Sequence, residues 1–163
     1  MKSIRMQVLG VLGGNIATAE EEAVAEAVGA MAARCDWAVL TGGGSGVMSA
    51  ASRGAVEAGG LTLAILPTAF PGGGYPNPWV HLPVFTGAGN ARNAFNVLSA
   101  CLCVAIGGGT GTLSEIALAL KNSIPVWCWR SWGIEAPTGG SPEDLRIFDS
   151  ADELLDALED LMA

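Results

Sequence analysis

The chain has 163 residues, half of them hydrophobic and 15% charged. A chain of this size and composition buries a core of its own, which excludes a disordered protein. The formal net charge of −8 argues against a nucleic-acid partner, because binding a phosphate backbone needs a basic surface. No apolar run reaches the roughly 20 residues that span a bilayer, and residues 1–6 lack a signal-peptide core. We therefore expect one domain over residues 1–163 in a cytoplasmic protein, with no membrane or nucleic-acid partner.

Strand-like and helix-like segments alternate from one end of the chain to the other. The predicted strands cover residues 6–12, 37–41, 61–66, 80–86, 102–106 and 125–129, with a short strand or turn at 146–148. The predicted helices cover residues 18–34, 46–58, 91–100, 113–121 and 151–161. The strand runs are apolar without alternation, which is typical of strands covered on both faces. The pattern predicts an α/β fold: a single doubly wound, Rossmann-like domain with a mainly parallel sheet of about six or seven strands.

A glycine-rich loop at residues 106–115 carries most of the functional information. It reads Ile-Gly-Gly-Gly-Thr-Gly-Thr-Leu-Ser-Glu, so a buried strand ends, glycines follow and a helix begins. The first turn of a helix offers unpaired N–H groups and a partial positive charge, which together favour a bound phosphate. We predict ligand contacts from Gly108, Gly109, Thr110, Gly111, Thr112 and Glu115. Two alternatives stay open: the loop is a plain strand-to-helix turn, or Thr112 and Glu115 form a capping box.

A second loop repeats this pattern at residues 40–48, which read Leu-Thr-Gly-Gly-Gly-Ser-Gly-Val-Met. We predict that it shares the ligand with the first loop, together with the glycines that end the first strand. The predicted contacts are Gly13, Gly14, Gly42, Gly43, Gly44, Gly46 and Met48. Neither loop has the Gly-Lys-Ser/Thr of a Walker A motif, and neither fits GxGxxG, because Thr112 and Val47 replace the third glycine. An ordinary NAD- or ATP-binding fold is therefore disfavoured.

A third strand-to-helix segment lies at residues 86–93, which read Thr-Gly-Ala-Gly-Asn-Ala-Arg-Asn. Asn90 is a good N-cap residue for the predicted helix. Arg92 then falls in the first helical turn, where its positive charge opposes the helix dipole unless an anion lies nearby. We assign Asn90 and Arg92 to the ligand site, with a surface salt bridge as the alternative for Arg92.

The residues that build metal and nucleophile sites are scarce. His81 is the single histidine, and the four cysteines lack a paired CxxC spacing, so we predict no metal site. Ser45 lacks the full GxSxG spacing of a serine nucleophile. Two loops at residues 68–79 and 131–142 follow strand ends, and we predict that they form a lid or a subunit contact.

The three glycine-containing motifs, in this order and spacing, resemble those of the LOG-like superfamily, formerly called lysine decarboxylase-like. The Gly-Asn-x-Arg-Asn form at residues 89–93 is similar to that of the molybdenum-cofactor carrier proteins and related bacterial proteins. The resemblance spans roughly residues 6–130 and implies a binding protein for a phosphorylated heterocyclic ligand, a nucleotide or a molybdenum-cofactor-like pterin. No further cofactor is implied; the bound group would be that nucleotide, phosphate or molybdenum cofactor. A homodimer or a dimer of dimers is also implied, and the apolar run at 113–120 favours it independently.

An enzyme is the alternative that the resemblance leaves open. In the cytokinin-activating phosphoribohydrolases of the superfamily, the motifs read Pro-Gly-Gly-x-Gly-Thr-x-Glu-Glu and Met-His-x-Arg-Lys. Their arginine corresponds to Arg92 and their second glutamate to Glu115. These would be the catalytic residues of an N-glycosidase that releases free base and ribose 5-phosphate from nucleoside 5′-monophosphates. Their first glutamate is Ser114 here, and their histidine and lysine are Asn90 and Asn93. The superfamily lacks a pyridoxal-phosphate lysine signature, so we do not expect a lysine decarboxylase.

Overall fold

The computed structural model describes residues 5–163, in which seven strands form one parallel sheet. The strands are β1 (Val8–Gly13), β2 (Ala38–Thr41), β3 (Thr62–Leu66), β4 (Leu82–Phe85), β5 (Leu102–Ile106), β6 (Val126–Trp129) and β7 (Leu145–Phe148). Their order across the sheet is β4-β3-β2-β1-β5-β6-β7, and every neighbouring pair is parallel. The chain builds one half of the sheet outward from β1, returns to the centre at β5 and then builds the other half. This confirms the doubly wound α/β fold that the sequence predicts.

Five α-helices cover the sheet within the described residues. They are α1 (Ala19–Arg34), α2 (Val47–Glu57), α3 (Arg92–Leu98), α4 (Thr110–Lys121) and α5 (Ala151–Met162). Side chains of α1, α2 and α5 pack with Leu9 and Val104 on one face of the sheet. Side chains of α3 and α4 pack with Leu12 and Cys103 on the other face, so the central strands are covered on both faces. None of these helices is long and apolar enough to cross a bilayer.

The observed elements match the predicted ones apart from their ends, and two differences affect the site. Helix α4 begins at Thr110 rather than at residue 113, so its first turn contains part of the glycine-rich loop. Asn90 is not an N-cap, because it lies inside a 3₁₀ turn, and Ala91 precedes α3 without a side-chain cap. An N-cap residue needs non-helical backbone, which a residue inside a helical turn does not have. That prediction is wrong.

Thr112 and Glu115 do not form the capping box that their spacing allows. The N-cap of α4 is Gly109, so Thr112 is the third residue of the helix rather than its cap. The same Thr-x-x-Glu spacing does form a capping box at α1, where the Thr18 N–H donates to Glu21 Oε2 at 2.8 Å. The backbone conformation of the threonine decides between the two outcomes. The capping interpretation of Glu115 is therefore wrong.

Candidate functional site

A cavity of about 450 Å³ lies beyond the carboxyl ends of the central strands. Its walls come from the loop after β1, the starts of α2, α3 and α4, and the 68–79 loop. Ligands bind at this place in doubly wound sheets, because the strand order reverses there. The volume falls in the range of small-molecule sites, about 300–1,000 Å³. The lining residues are Gly13, Gly14, Asn15, Ile16, Met48, Tyr75, Asn90, Arg92, Asn93, Gly109, Thr110, Gly111, Thr112 and Glu115.

The cavity brings together most of the residues that the sequence assigns to a ligand. The predicted residues in its walls are Gly13, Gly14, Met48, Asn90, Arg92, Gly109, Thr110, Gly111, Thr112 and Glu115. The predicted residues outside its walls are Gly42, Gly43, Gly44, Gly46 and Gly108. Four lining residues were missed: Asn15, Ile16, Tyr75 and Asn93. Asn93 belongs to the Gly-Asn-x-Arg-Asn motif, and Tyr75 lies in the proline-rich loop at 68–79 that the sequence places near the ligand, so both could have been found. Asn15 and Ile16 carry no motif.

The start of α4 forms an electropositive wall of the cavity. Gly109 is the N-cap and has no side chain to cap the helix, so the N–H groups of Thr110, Gly111 and Thr112 have no acceptor within it. A Cβ on Gly109 or Gly111 would meet no atom within 4 Å, so both glycines leave the approach to these amides open. Gly108 has a different role, because a Cβ there would lie 2.2 Å from Thr112 Oγ1. It lets the turn close against the helix.

The 131–142 segment supports this loop from outside the cavity. Ser131 Oγ donates to the Gly107 carbonyl at 2.6 Å. The indole Nε1 of Trp132 donates to the Gly109 carbonyl at 3.0 Å. The carbonyls of Gly107 and Gly109 are thus held from this side, which fixes the peptide planes of the turn into α4.

Arg92 is a buried cation without a carboxylate partner. The residue is 8% exposed, and Nη1 donates to the Ile65 carbonyl at 2.8 Å. Its Nε is buried and has no hydrogen-bond partner, and it forms no ion pair with any carboxylate in the described residues. Gly42 makes room for the guanidinium, since a Cβ there would lie 2.2 Å from Nη1. A buried, unpaired charge that lines a cavity is costly unless an anion occupies that cavity. The surface salt bridge considered for Arg92 is therefore wrong.

Glu115 lies in the same wall and is 8% exposed. Its Oε1 accepts a hydrogen bond from Asn96 Nδ2 at 3.1 Å. Burial raises the pKa of this carboxyl, while the Asn96 hydrogen bond and the charge of Arg92 lower it by less. Asn96 Oδ1 is buried without a partner. The site therefore holds a carboxyl that burial shifts toward its neutral form, close to a buried guanidinium.

The second glycine-rich loop does not line the cavity before Met48, and the amides of Gly43, Ser45 and Val47 donate within the protein. Residues 42–44 are buried. The Gly43 N–H donates to Thr41 Oγ1 at 3.1 Å, and the Ser45 N–H donates to Asn15 Oδ1 at 3.2 Å. We expected amides of both loops to converge on one anion, and for Gly43 and Ser45 this needs correction. The amides of Gly43 and Ser45 already have acceptors, whereas those at the start of α4 do not.

Close packing explains the glycines of this second loop. A Cβ on Gly44 would lie 2.2 Å from Asn15 Oδ1 and 2.6 Å from Met48 Cε. Gly46 has a φ of +59°, and a Cβ there would lie 2.4 Å from the Gly14 carbonyl. Larger side chains would push the β1 loop and α2 apart. These glycines position cavity walls rather than form them.

Comparison with known proteins identifies the family. The model of the SLOG cluster4 family matches residues 5–153. The chain belongs to this family. It is also 33% identical over 150 residues to an uncharacterized protein of Archaeoglobus fulgidus, covering 92% of this chain and 93% of the relative.

Two solved structures are similar to this SLOG cluster4 protein over nearly its whole length. The molybdenum cofactor binding protein of Rippkaea orientalis is 36% identical with a TM-score of 0.83, covering 99% of this chain and 100% of that one. The molybdenum cofactor carrier protein of Chlamydomonas reinhardtii is 33% identical with a TM-score of 0.80, covering 97% and 99%. The resemblance to the LOG-like superfamily, near the molybdenum-cofactor carriers, is confirmed.

Position 114 distinguishes this SLOG cluster4 protein from the phosphoribohydrolase motif. Ser114 Oγ donates to the Gly111 carbonyl at 2.7 Å and accepts from Asn93 Nδ2 at 2.9 Å. A serine that braces the first turn of α4 thus stands where the enzymes carry a glutamate. Within residues 5–163, no group of three His, Cys, Asp or Glu side chains could hold a metal ion.

Proposed function

We propose that this protein binds a phosphorylated heterocyclic ligand, a nucleotide or a molybdenum-cofactor-like pterin, in the cavity at the start of α4. The observation that supports it best is Arg92, a buried cation in the cavity wall that has an unpartnered Nε and forms no salt bridge with a described carboxylate. A phosphate group would supply the missing negative charge. Nothing else in the described residues supplies it at contact distance.

The start of α4 supports phosphate over other anions. A phosphate presents several acceptor oxygens, and the amides of Thr110, Gly111 and Thr112 lack acceptors within the helix. Arginine and helix-terminal amides together can hold a dianion by charge-assisted hydrogen bonds. The two structural relatives are described as molybdenum cofactor binding and carrier proteins, which supports a pterin phosphate among the ligands. In this proposal the cofactor is cargo, held through its phosphate.

Ligand-induced stabilisation tests the proposal. At 1 mM ligand and an assumed Kd of 10 μM, a nucleoside monophosphate should stabilise the protein by about 2.7 kcal/mol. Arg92→Ala should remove most of that increase, and Arg92→Lys should retain part of it because the charge remains. Arg53→Ala serves as the control, since Arg53 pairs with Glu26 away from the cavity. Equal stabilisation of wild type and Arg92→Ala by every phosphorylated ligand would contradict the proposal.

A nucleoside monophosphate phosphoribohydrolase is the second candidate function. It is favoured by Glu115, whose carboxyl lines the same cavity as Arg92 and could stabilise an oxocarbenium-like transition state or activate water. Ser114 counts against it, because the second carboxylate of the enzyme motif is missing. Incubation with AMP, GMP and CMP should be followed by assays for free base and ribose 5-phosphate. Turnover that disappears in Glu115→Gln would establish the enzyme, and its absence at saturating ligand would favour the carrier.

We also propose that the protein forms a homodimer or a dimer of dimers. Leu82 and Phe85 are exposed on the edge strand β4, and Phe95 and Leu98 are exposed on α3, which follows it. An apolar surface of this kind commonly marks an interface. Light scattering should show that Leu98→Asp lowers the molar mass, while Leu161→Asp, at a similarly exposed position on α5, leaves it unchanged. A monomeric wild type would contradict the proposal.

A further inference from the structure

The cavity has an apolar part in addition to its phosphate-binding part. Ile16, Met48 and Tyr75 line it together with the polar residues described above. Ile16 is 94% exposed. One exposed isoleucine is common on protein surfaces, but this one borders a cavity that two further apolar side chains also line. The three side chains together offer an apolar surface for the part of the ligand that is not phosphate.

Two of these side chains meet at Gly44. A Cβ on that glycine would lie 2.6 Å from Met48 Cε and 3.3 Å from Tyr75 Cε1. The absence of a side chain at Gly44 therefore lets the thioether and the phenol ring approach the same point. Met48 is fixed in the first turn of α2 and is 6% exposed, so its methyl group is a stable part of the wall.

Tyr75 is held in place by its own turn and by Asn77. Its backbone exchanges two hydrogen bonds with Gly72, at 2.9 and 3.0 Å. The buried Asn77 then fastens the turn to the second glycine-rich loop: its N–H donates to the Gly43 carbonyl at 2.8 Å, and its Nδ2 donates to the Gly44 carbonyl at 2.9 Å. The Tyr75 hydroxyl accepts a long hydrogen bond, 3.5 Å, from Asn15 Nδ2. The ring is thus positioned before any ligand arrives, which limits the entropy lost on binding.

We propose that Ile16, Met48 and Tyr75 form a binding site for a planar ring attached to the phosphate, and that this site selects ring-bearing phosphates over simple sugar phosphates. The inference rests on the proposed function, because Arg92 and α4 must first hold the phosphate. A rigid aromatic ring beside a thioether and an aliphatic side chain suits a flat heteroaromatic group, by stacking and by apolar contact. A volume of about 450 Å³ suits one phosphate together with one such ring.

Calorimetric titration with AMP, GMP, CMP and ribose 5-phosphate tests the inference. Stacking of a base on an aromatic side chain corresponds to roughly 5- to 150-fold in affinity. We expect at least one nucleotide to bind wild type about tenfold or more tightly than ribose 5-phosphate. Tyr75→Ala should remove most of this preference and leave the ribose 5-phosphate affinity within about twofold. Tyr75→Phe should keep the preference, because it retains the ring and loses only the long hydrogen bond to Asn15.

Ile16→Ser is a second variant. It should fold normally, because Ile16 is almost fully exposed. It should lower the nucleotide preference by about two- to fivefold, because an apolar contact is lost. Two results would overturn the ring site: no nucleotide binds more tightly than ribose 5-phosphate, or Tyr75→Ala weakens all four ligands equally. If none of the four ligands binds, the nucleotide form of the proposed function fails and the ring site fails with it. Binding of ribose 5-phosphate that depends on Arg92, without any nucleotide preference, would retain the function and reject the ring site.

Discussion

The two glycine-rich loops have nearly the same sequence pattern but different roles in the structure. Residues 42–44 are buried, and the Gly43 and Ser45 amides have acceptors within the protein. Residues 108–111 are exposed to the cavity or to solvent, and the first amides of α4 have no acceptor within the helix. A strand-glycine-helix pattern therefore predicts a tight strand-to-helix turn in both places. The pattern does not show in which of the two loops the backbone N–H groups lack an acceptor and can bind a ligand. The two loops differ in their hydrogen-bond donors: only the N–H groups at the start of α4 lack acceptors throughout.

Among the variants that test this comparison, Gly46→Ala should have the largest effect, a loss of stability. Its φ of +59° is unfavourable for alanine, and the added Cβ would lie 2.4 Å from the Gly14 carbonyl. Strain and overpacking should lower the free energy of unfolding by roughly 2–4 kcal/mol. Urea denaturation measures this loss in the free energy of unfolding. A loss below about 0.5 kcal/mol would show that the second loop tolerates a side chain and is not the packing element described here.

Gly111→Ala should have the opposite effect: it should weaken ligand binding without lowering stability. The new Cβ meets no protein atom within 4 Å, and alanine favours a helix over glycine by roughly 0.5–1 kcal/mol. The free energy of unfolding should therefore stay constant or rise slightly. The methyl group would stand between the cavity and the amides, and losing one charge-assisted hydrogen bond should weaken nucleotide binding by about tenfold or more. A loss of stability together with the loss of affinity in this variant would remove the distinction between the loops.

Local patterns predicted the secondary structure and much of the site, whereas contacts between distant residues could not be predicted. The apolar run of β5 and the glycines after it placed α4 to within three residues. Tyr75 and Asn15 meet across 60 positions in the sequence, and no local pattern indicates such a contact. The Thr-x-x-Glu spacing does not fix where α4 begins: the helix starts at Thr110 behind Gly109, whose carbonyl accepts from the distant Trp132. The cytoplasmic location stays a prediction.

Glu115→Gln should stabilise the free protein at neutral pH. Burial raises the pKa of Glu115, so the folded state binds this proton more tightly than the unfolded state does. The wild type is therefore most favoured below the usual carboxyl pKa of 4.5 and loses stability as pH rises toward the folded pKa. Glutamine carries no charge to bury, and its amide can donate to Asn96 Oδ1, which lacks a partner. Thermal unfolding at several pH values should show a gain at pH 7 that vanishes below about pH 4.5. A gain independent of pH would mean that the carboxylate is not the cause.

Trp132→Phe should have the smallest effect and tests how each loop is held. The variant keeps an aromatic ring but removes the donor to the Gly109 carbonyl, which still accepts from the Leu113 N–H at 3.0 Å. The lost bond is exposed and its acceptor stays satisfied, so the free energy of unfolding should fall by no more than about 0.5 kcal/mol. The less firmly held turn should raise the Kd for a nucleotide by about two- to fivefold. The counterpart in the buried loop is Thr41→Val, which removes the acceptor of the Gly43 N–H. It should instead cost roughly 1–3 kcal/mol in stability, because the orphaned donor is buried. If Trp132→Phe lowers stability as much as Thr41→Val does, the exposed loop is also a packing element, and the contrast between the two loops does not hold.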